Sequence, residues 1–87
     1  GAGADPELDA FLDRLIASRK LQVSRVLGAF RDRGWVRTDI PFDEVVDTAA
    51  ILSSVDIYLR LTRHDGWSVD AYRRWCRRML AETVFAR

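Results

Sequence analysis

The sequence predicts an all-α domain built from three helices, over residues 6–33, 41–64 and 69–85. Apolar residues recur at steps of three and four along most of the chain, which is the period of an amphipathic helix. Gly34 and the Asp65–Gly66 pair interrupt this pattern where helices are expected to end. No segment shows the apolar and polar alternation of a β-strand, and no repeat or linker divides the chain. The sequence therefore indicates a single helical unit.

The first helix is expected to begin at Pro6, because an aspartate N-cap followed by proline is a common start signal. Residues 1–4 carry no pattern, and we interpret them as a possible cloning remnant or a disordered end, so that the domain comprises residues 5–87. Gly34 is expected to end the helix in a left-handed conformation. The apolar positions between these ends are Leu8, Phe11, Leu12, Leu15, Ile16, Val23, Val26, Leu27 and Phe30.

The second helix is expected to start at Pro41, followed by acidic residues where the helix dipole favours negative charge. Its apolar residues cover roughly two-thirds of the circumference, which is more than the neighbouring helices of one chain can bury. We therefore expect a homodimer in which two helices from each chain form a four-helix bundle. The residues assigned to this dimer interface are Val46, Ala50, Ile57 and Leu61.

The third helix, capped by Ser68, separates into an apolar face and a basic face. A row of arginines is typical of a solvated surface, although such a row can also contact phosphates. Cys76 lies on the apolar face, which favours a structural thiol over a reactive one. The apolar face comprises Tyr72, Trp75, Cys76, Met79 and Leu80, and the basic face comprises Arg73, Arg74, Arg77 and Arg78.

Two charged residues stand where the helical pattern calls for apolar ones, Arg19 in the first helix and Asp56 in the second. If these helices run antiparallel about a connection centred near residue 37, the two side chains are level with each other. They are then expected to form an ion pair that sets the helix register, within one chain or across the dimer. The alternative is that both side chains reach a solvated edge.

Composition excludes several classes of protein. Fourteen basic residues against thirteen acidic ones leave a net charge of +1, far from the excess of a dedicated DNA-binding domain. No segment matches a signal peptide or a membrane span, and the single cysteine is compatible with a reducing compartment, so we expect a cytoplasmic protein. One histidine and no catalytic or metal-ligand spacing predict a protein without enzymatic activity, cofactor or metal.

Particular residues in the second half of the chain form a distinctive set: Asp56 two positions before Tyr58, Leu61, then Gly66-Trp67-Ser68, Tyr72 and Trp75. This set resembles the C-terminal domain of tetracycline-repressor (TetR) family regulators. The run from Arg31 to Pro41, with Gly34 in its turn, resembles the loop between two long helices of that domain. The resemblance extends from about Asp5 to Phe85.

The resemblance implies the dimerisation and ligand-sensing part of a one-component transcription regulator. In this family an N-terminal helix-turn-helix binds DNA, and the C-terminal domain forms the dimer and senses a small molecule. No helix-turn-helix pattern lies in the 87 residues. The alternative hypothesis is a free-standing helical module that binds another protein. Trp35, His64 and Trp67 are possible ligand contacts, although packing of the indoles at helix ends and a solvated histidine are favoured; the ligand itself remains unknown.

Overall fold

The computed structural model describes residues 6–86 and is all-α over that range, which confirms the predicted fold class. A π-helical turn continues the third of its four α-helices. The first and last helices end close to the predicted positions, and the interpretation of residues 1–4 concerns positions outside the described range. The elements are α1 (Pro6–Asp32), α2 (Phe42–Leu52), α3 (Val55–Leu59), the π-helical turn (Arg60–His64) and α4 (Val69–Thr83).

The helix expected over residues 41–64 is divided at Ser53 and Ser54. The Ser53 hydroxyl donates a hydrogen bond of 2.7 Å to the carbonyl of Ala49. The Ser54 hydroxyl accepts a bond of 3.3 Å from the Ile57 amide and so caps the start of α3. Serine side chains compete for backbone groups in this way and favour helix ends over helix interiors. The two adjacent serines therefore end α2 and start a new helix.

Helices α1 and α2 run antiparallel. The Arg31 guanidinium lies 4.1 Å from the ring centroid of Phe42, and Lys20 Nζ lies 3.0 Å from Asp47 Oδ1, so contacts run in opposite directions along the two helices. Helix α4 also packs against α2. The molecule measures 49 × 31 × 17 Å, and its small third dimension is that of a thin helical layer.

The connection after α1 is joined to the end of α4. Gly34 has φ 78°, a left-handed conformation that ends α1 and redirects the chain. Val36 then forms an antiparallel bridge with Phe85. The Arg37 amide donates to the Val84 carbonyl at 3.0 Å, and the Ala86 amide donates to the Trp35 carbonyl at 2.7 Å. These bonds close one end of the helical layer.

The hydrophobic core is small and lies at that closed end. The chain has a radius of gyration of 15.4 Å, whereas a compact chain of this length has about 12 Å. Much of α1 therefore extends away from the core. The core residues are Leu27, Val36, Val45, Val46, Ala49 and Val84.

Candidate interaction surfaces

The N-terminal half of α1 carries large apolar side chains that are 46–55% exposed. Helix α1 has 27 residues and α2 has 11, which correspond to lengths of about 40 and 16 Å. The face of α1 that packs in the core at Leu27 therefore continues beyond the end of α2. Four exposed residues at positions i, i+3, i+4 and i+7 form what we call the α1 ladder: Leu8, Phe11, Leu12 and Leu15.

An apolar depression, here called the α1–α4 trough, lies between α1 and α4 and has a volume of about 310 Å³. Val26 on its α1 wall is exposed, and Ala49 of α2 lies at its floor. Leu15 and Val26 are eleven residues apart, about three helical turns, so the α1 ladder and this wall share one face of α1. The trough is lined by Gln22, Val23, Val26, Leu27, Phe30, Ala49, Ser53, Leu80, Val84 and Phe85.

A second depression, here called the α2–α3 groove, lies where α1 meets the end of α2 and the start of α3. Its volume is about 560 Å³. Ile16 and Ile51 are 67% and 61% exposed, the highest values among the large apolar residues that line it. Apolar side chains are surrounded there by charged ones, an arrangement typical of a contact with another helix. The lining residues are Ile16, Arg19, Lys20, Asp47, Ala50, Ile51, Ser54, Asp56 and Ile57.

The structure brings two of the four predicted interface residues together. Ala50 and Ile57 both line the α2–α3 groove. Val46 is 2% exposed and packs in the core, so its side chain offers no surface to a partner in this arrangement. Leu61 lies in the π-helical turn and is half-buried outside the groove. The break at Ser53 and Ser54 explains the position of Leu61, because α3 does not continue the apolar stripe of α2.

The predicted ion pair between Arg19 and Asp56 is absent within the chain, although both side chains line the α2–α3 groove. Arg19 Nη2 instead donates to the carbonyl and to the hydroxyl of Ser53, the latter at 2.9 Å. Both charged residues are exposed. The guanidinium thus binds the C-terminal end of α2, where a cation interacts favourably with free carbonyls and the helix dipole. Within the chain, Ser53 takes the position expected for Asp56, and an ion pair between Arg19 and Asp56 across a dimer stays a prediction.

Four of the residues that carry the family resemblance, all aromatic, pack together. Tyr58 and Tyr72 meet edge to face with ring centroids 5.1 Å apart, and Trp67 meets Trp75 in the same way at 6.1 Å. Such pairs fix the approach of α4 to α3 and to the segment that follows the π-helical turn. The left-handed Gly66, with φ 75°, directs Trp67 into this cluster.

The single cysteine lies half-buried in the same region. Cys76 Sγ donates a weak bond of 3.5 Å to the Leu52 carbonyl, which Tyr72 Oη also contacts at 3.4 Å. Burial first, and then the neighbouring Cys76, raise the pKa of Tyr72. Both side chains therefore bind the end of α2, which is the structural role expected for the thiol.

The arginines of α4 are exposed and take part in none of the ion pairs found among residues 6–86. Arg74 and Arg78 border a shallow depression of about 320 Å³ beside Trp67 and Trp75. No unpartnered buried polar atom is available to bind a ligand there, since every buried side-chain nitrogen and oxygen in the described chain has a partner. The arrangement is that of a solvated basic face.

Two further residues named as possible ligand contacts are Trp35, which has a local packing role, and His64, which has none. Trp35 packs on Phe30 with ring centroids 5.4 Å apart at the end of α1, and His64 is exposed.

In the loop after α1, the Arg37 guanidinium donates two hydrogen bonds of 2.7 and 2.6 Å to the Asp39 carboxylate. These bonds lower the pKa of Asp39 to about 2.

Within residues 6–86, no group of histidine, cysteine and acidic side chains is placed to hold a metal ion. Over the same range, no helix has the length and apolar character needed to span a membrane. Comparison with known proteins finds no family model, curated protein or solved structure that matches the chain. The geometry of the apolar surfaces is therefore the main evidence on function.

Proposed function

We propose that this chain is the dimerisation and effector-sensing part of a TetR-like transcription regulator, acting in the cytoplasm without enzymatic activity. The observation that supports dimerisation is the α2–α3 groove, where Ile16 and Ile51 expose apolar surface next to the predicted interface residues Ala50 and Ile57. Soluble proteins place such surfaces at contacts with partners. A second copy is the simplest partner, because closed two-fold dimers are the commonest oligomers.

The family assignment within this proposal rests on the residues that resemble TetR regulators. Tyr58, Tyr72, Trp67 and Trp75 form one contiguous aromatic cluster, so the resemblance involves residues that pack together. In such a regulator, the dimer holds two DNA-binding heads at the spacing of operator half-sites. Binding of a small-molecule effector then changes that spacing. DNA is contacted only through a helix-turn-helix, which these 87 residues do not include.

Dimerisation through the α2–α3 groove is tested by measuring mass against concentration in sedimentation experiments. We expect Ile51→Arg to shift the chain towards monomer, because a charge replaces an exposed apolar side chain in the groove. Val55→Arg is the matched control, since Val55 is 65% exposed and lies nearby but outside the groove. Equal effects of the two variants, or a wild-type mass that stays near 10.0 kDa at every concentration, would contradict the proposed interface.

The alternative, a free-standing module that binds another protein, is favoured by the same exposed apolar surface. The two functions differ in what the gene encodes upstream of Asp5. A reading frame that continues through a basic helix-turn-helix supports the regulator. A frame that starts near residue 1 supports the module.

A further inference from the structure

The α1 ladder is exposed and shares no residue with the lining of the α2–α3 groove. Leu8, Phe11, Leu12 and Leu15 follow the i, i+3, i+4, i+7 spacing by which a helix anchors in an apolar groove. The α1–α4 trough is an apolar depression of this kind, and its α1 wall lies on the same face of the same helix. One molecule therefore carries both a helix with anchor residues and an apolar depression that suits it.

We propose that α1 pairs antiparallel with α1 of a second copy, so that each α1 ladder enters the α1–α4 trough of the other chain. A two-fold axis across α1 covers the α1 ladder and the α1–α4 trough of both chains at once, because the ladder and the α1 wall of the trough are successive parts of one helical face. Each Phe11 then approaches the region of the partner's Val26. The contact is closed and reciprocal, and it does not depend on the α2–α3 groove.

The charges along α1 favour a second copy of the chain as the partner and an antiparallel arrangement of the two α1 helices. Residues 6–17 contain three acidic residues and one arginine, whereas residues 18–32 contain four basic residues and one aspartate. Antiparallel pairing places the acidic half of each α1 over the basic half of the other, and the two helix dipoles oppose each other. Parallel pairing would place like charges together. Arg25, which is exposed and takes part in none of the ion pairs of residues 6–86, belongs to the basic half.

The test compares two leucines on opposite faces of α1. Leu12 belongs to the ladder and is 46% exposed; Leu21 is 53% exposed and lies nine residues further, on the opposite side of the helix. We expect Leu12→Arg to weaken self-association by at least about tenfold, as loss of an interface anchor does, and Leu21→Arg to leave it unchanged. Circular dichroism checks that both variants stay helical. Similar effects of the two substitutions, or a wild-type chain that does not associate, would overturn the proposal.

The direction of pairing is tested by cross-linking in a Cys76→Ser background. A Phe11→Cys chain mixed with a Val26→Cys chain should form a mixed disulfide dimer in preference to the Phe11→Cys homodimer. Preferential homodimers would show parallel pairing and contradict the proposal. The Ile51→Arg variant separates this contact from the α2–α3 groove. If Ile51→Arg weakens self-association and Leu12→Arg does not, the result supports the groove and refutes the α1 pairing. A chain that uses both surfaces assembles beyond a dimer, and each substitution then lowers its mass.

Discussion

Replacing Arg19 is expected to destabilise the chain more than replacing Asp56, because Arg19, unlike Asp56, binds the end of α2. Arg19→Ala removes two hydrogen bonds to Ser53 and a cation at a helix C-terminus. A typical hydrogen bond contributes about 0.5–1.5 kcal/mol and an exposed cation at this end about 0.3–1 kcal/mol. The side chain is exposed, so we expect a total loss of about 1–2 kcal/mol in the free energy of unfolding. For a domain of this size, that lowers the melting temperature by at least about 4 °C.

Asp56→Ala serves as the comparison in the same experiment. A buried ion pair would cost about 3–5 kcal/mol on losing one partner. Asp56 is exposed and forms no ion pair within residues 6–86, so its loss should cost about 0.5 kcal/mol or less. Urea unfolding followed by circular dichroism, at concentrations low enough to keep the chain monomeric, measures both variants and the double variant. A large cost for Asp56→Ala, or clear non-additivity in the double variant, would refute the assignment of Arg19 to Ser53.

Other predictions concern the core, the loop, α4 and nucleic acid. Val45→Ala should cost about 2–3 kcal/mol in chemical unfolding, because it removes two methyl groups from a fully buried side chain and leaves a cavity. Arg37 lowers the pKa of Asp39 from 3.8 to about 2, so the pair's contribution to stability is present above about pH 4 and is lost as the pH falls towards 2. In acid unfolding experiments, Asp39→Asn should make the free energy of unfolding depend less on pH in this window. The pKa of Tyr72 is raised on folding, so its contribution is present below about pH 10 and lost at higher pH, and Tyr72→Phe should make alkaline unfolding less steep. In electrophoretic shift experiments, the 87 residues alone should show no sequence-specific retention of operator DNA, because the exposed arginines of α4 have no neighbouring groups placed to read bases; tight sequence-dependent binding would contradict this.

The fold class follows from local signals that act within a few residues of one another. The end of α1 before Gly34 and the Ser68 cap of α4 each depend on short-range geometry, and the structure shows both. The Ser68 hydroxyl accepts from the Ala71 amide at 3.1 Å, as an N-cap residue does. Such signals are visible in a single sequence, because the residue types that provide caps and left-handed turns are few.

The break in the second helix is a different case, because two tendencies compete there. The apolar stripe continues from Leu52 through Val55 and favours one helix, whereas Ser53 and Ser54 favour a helix end. The stripe alone does not show which tendency prevails. The outcome depends on contacts from distant residues, above all the Arg19 guanidinium, which binds the Ser53 carbonyl that a continuous helix would use internally.

This break also explains why the candidate interface was only partly predictable. Counting along one continuous helix places Val46, Ala50, Ile57 and Leu61 on a single face, but Val46 packs in the core, and after the break Leu61 lies in the π-helical turn. Because α2 then ends early, the first half of α1 loses the neighbour that the three-helix arrangement implies. Exposure of the α1 ladder is thus a consequence of the Ser53–Ser54 break. A substitution that restores helical continuity there, such as Ser53→Ala with Ser54→Ala, should extend α2 along α1 and, if α1 pairs as proposed, weaken that pairing.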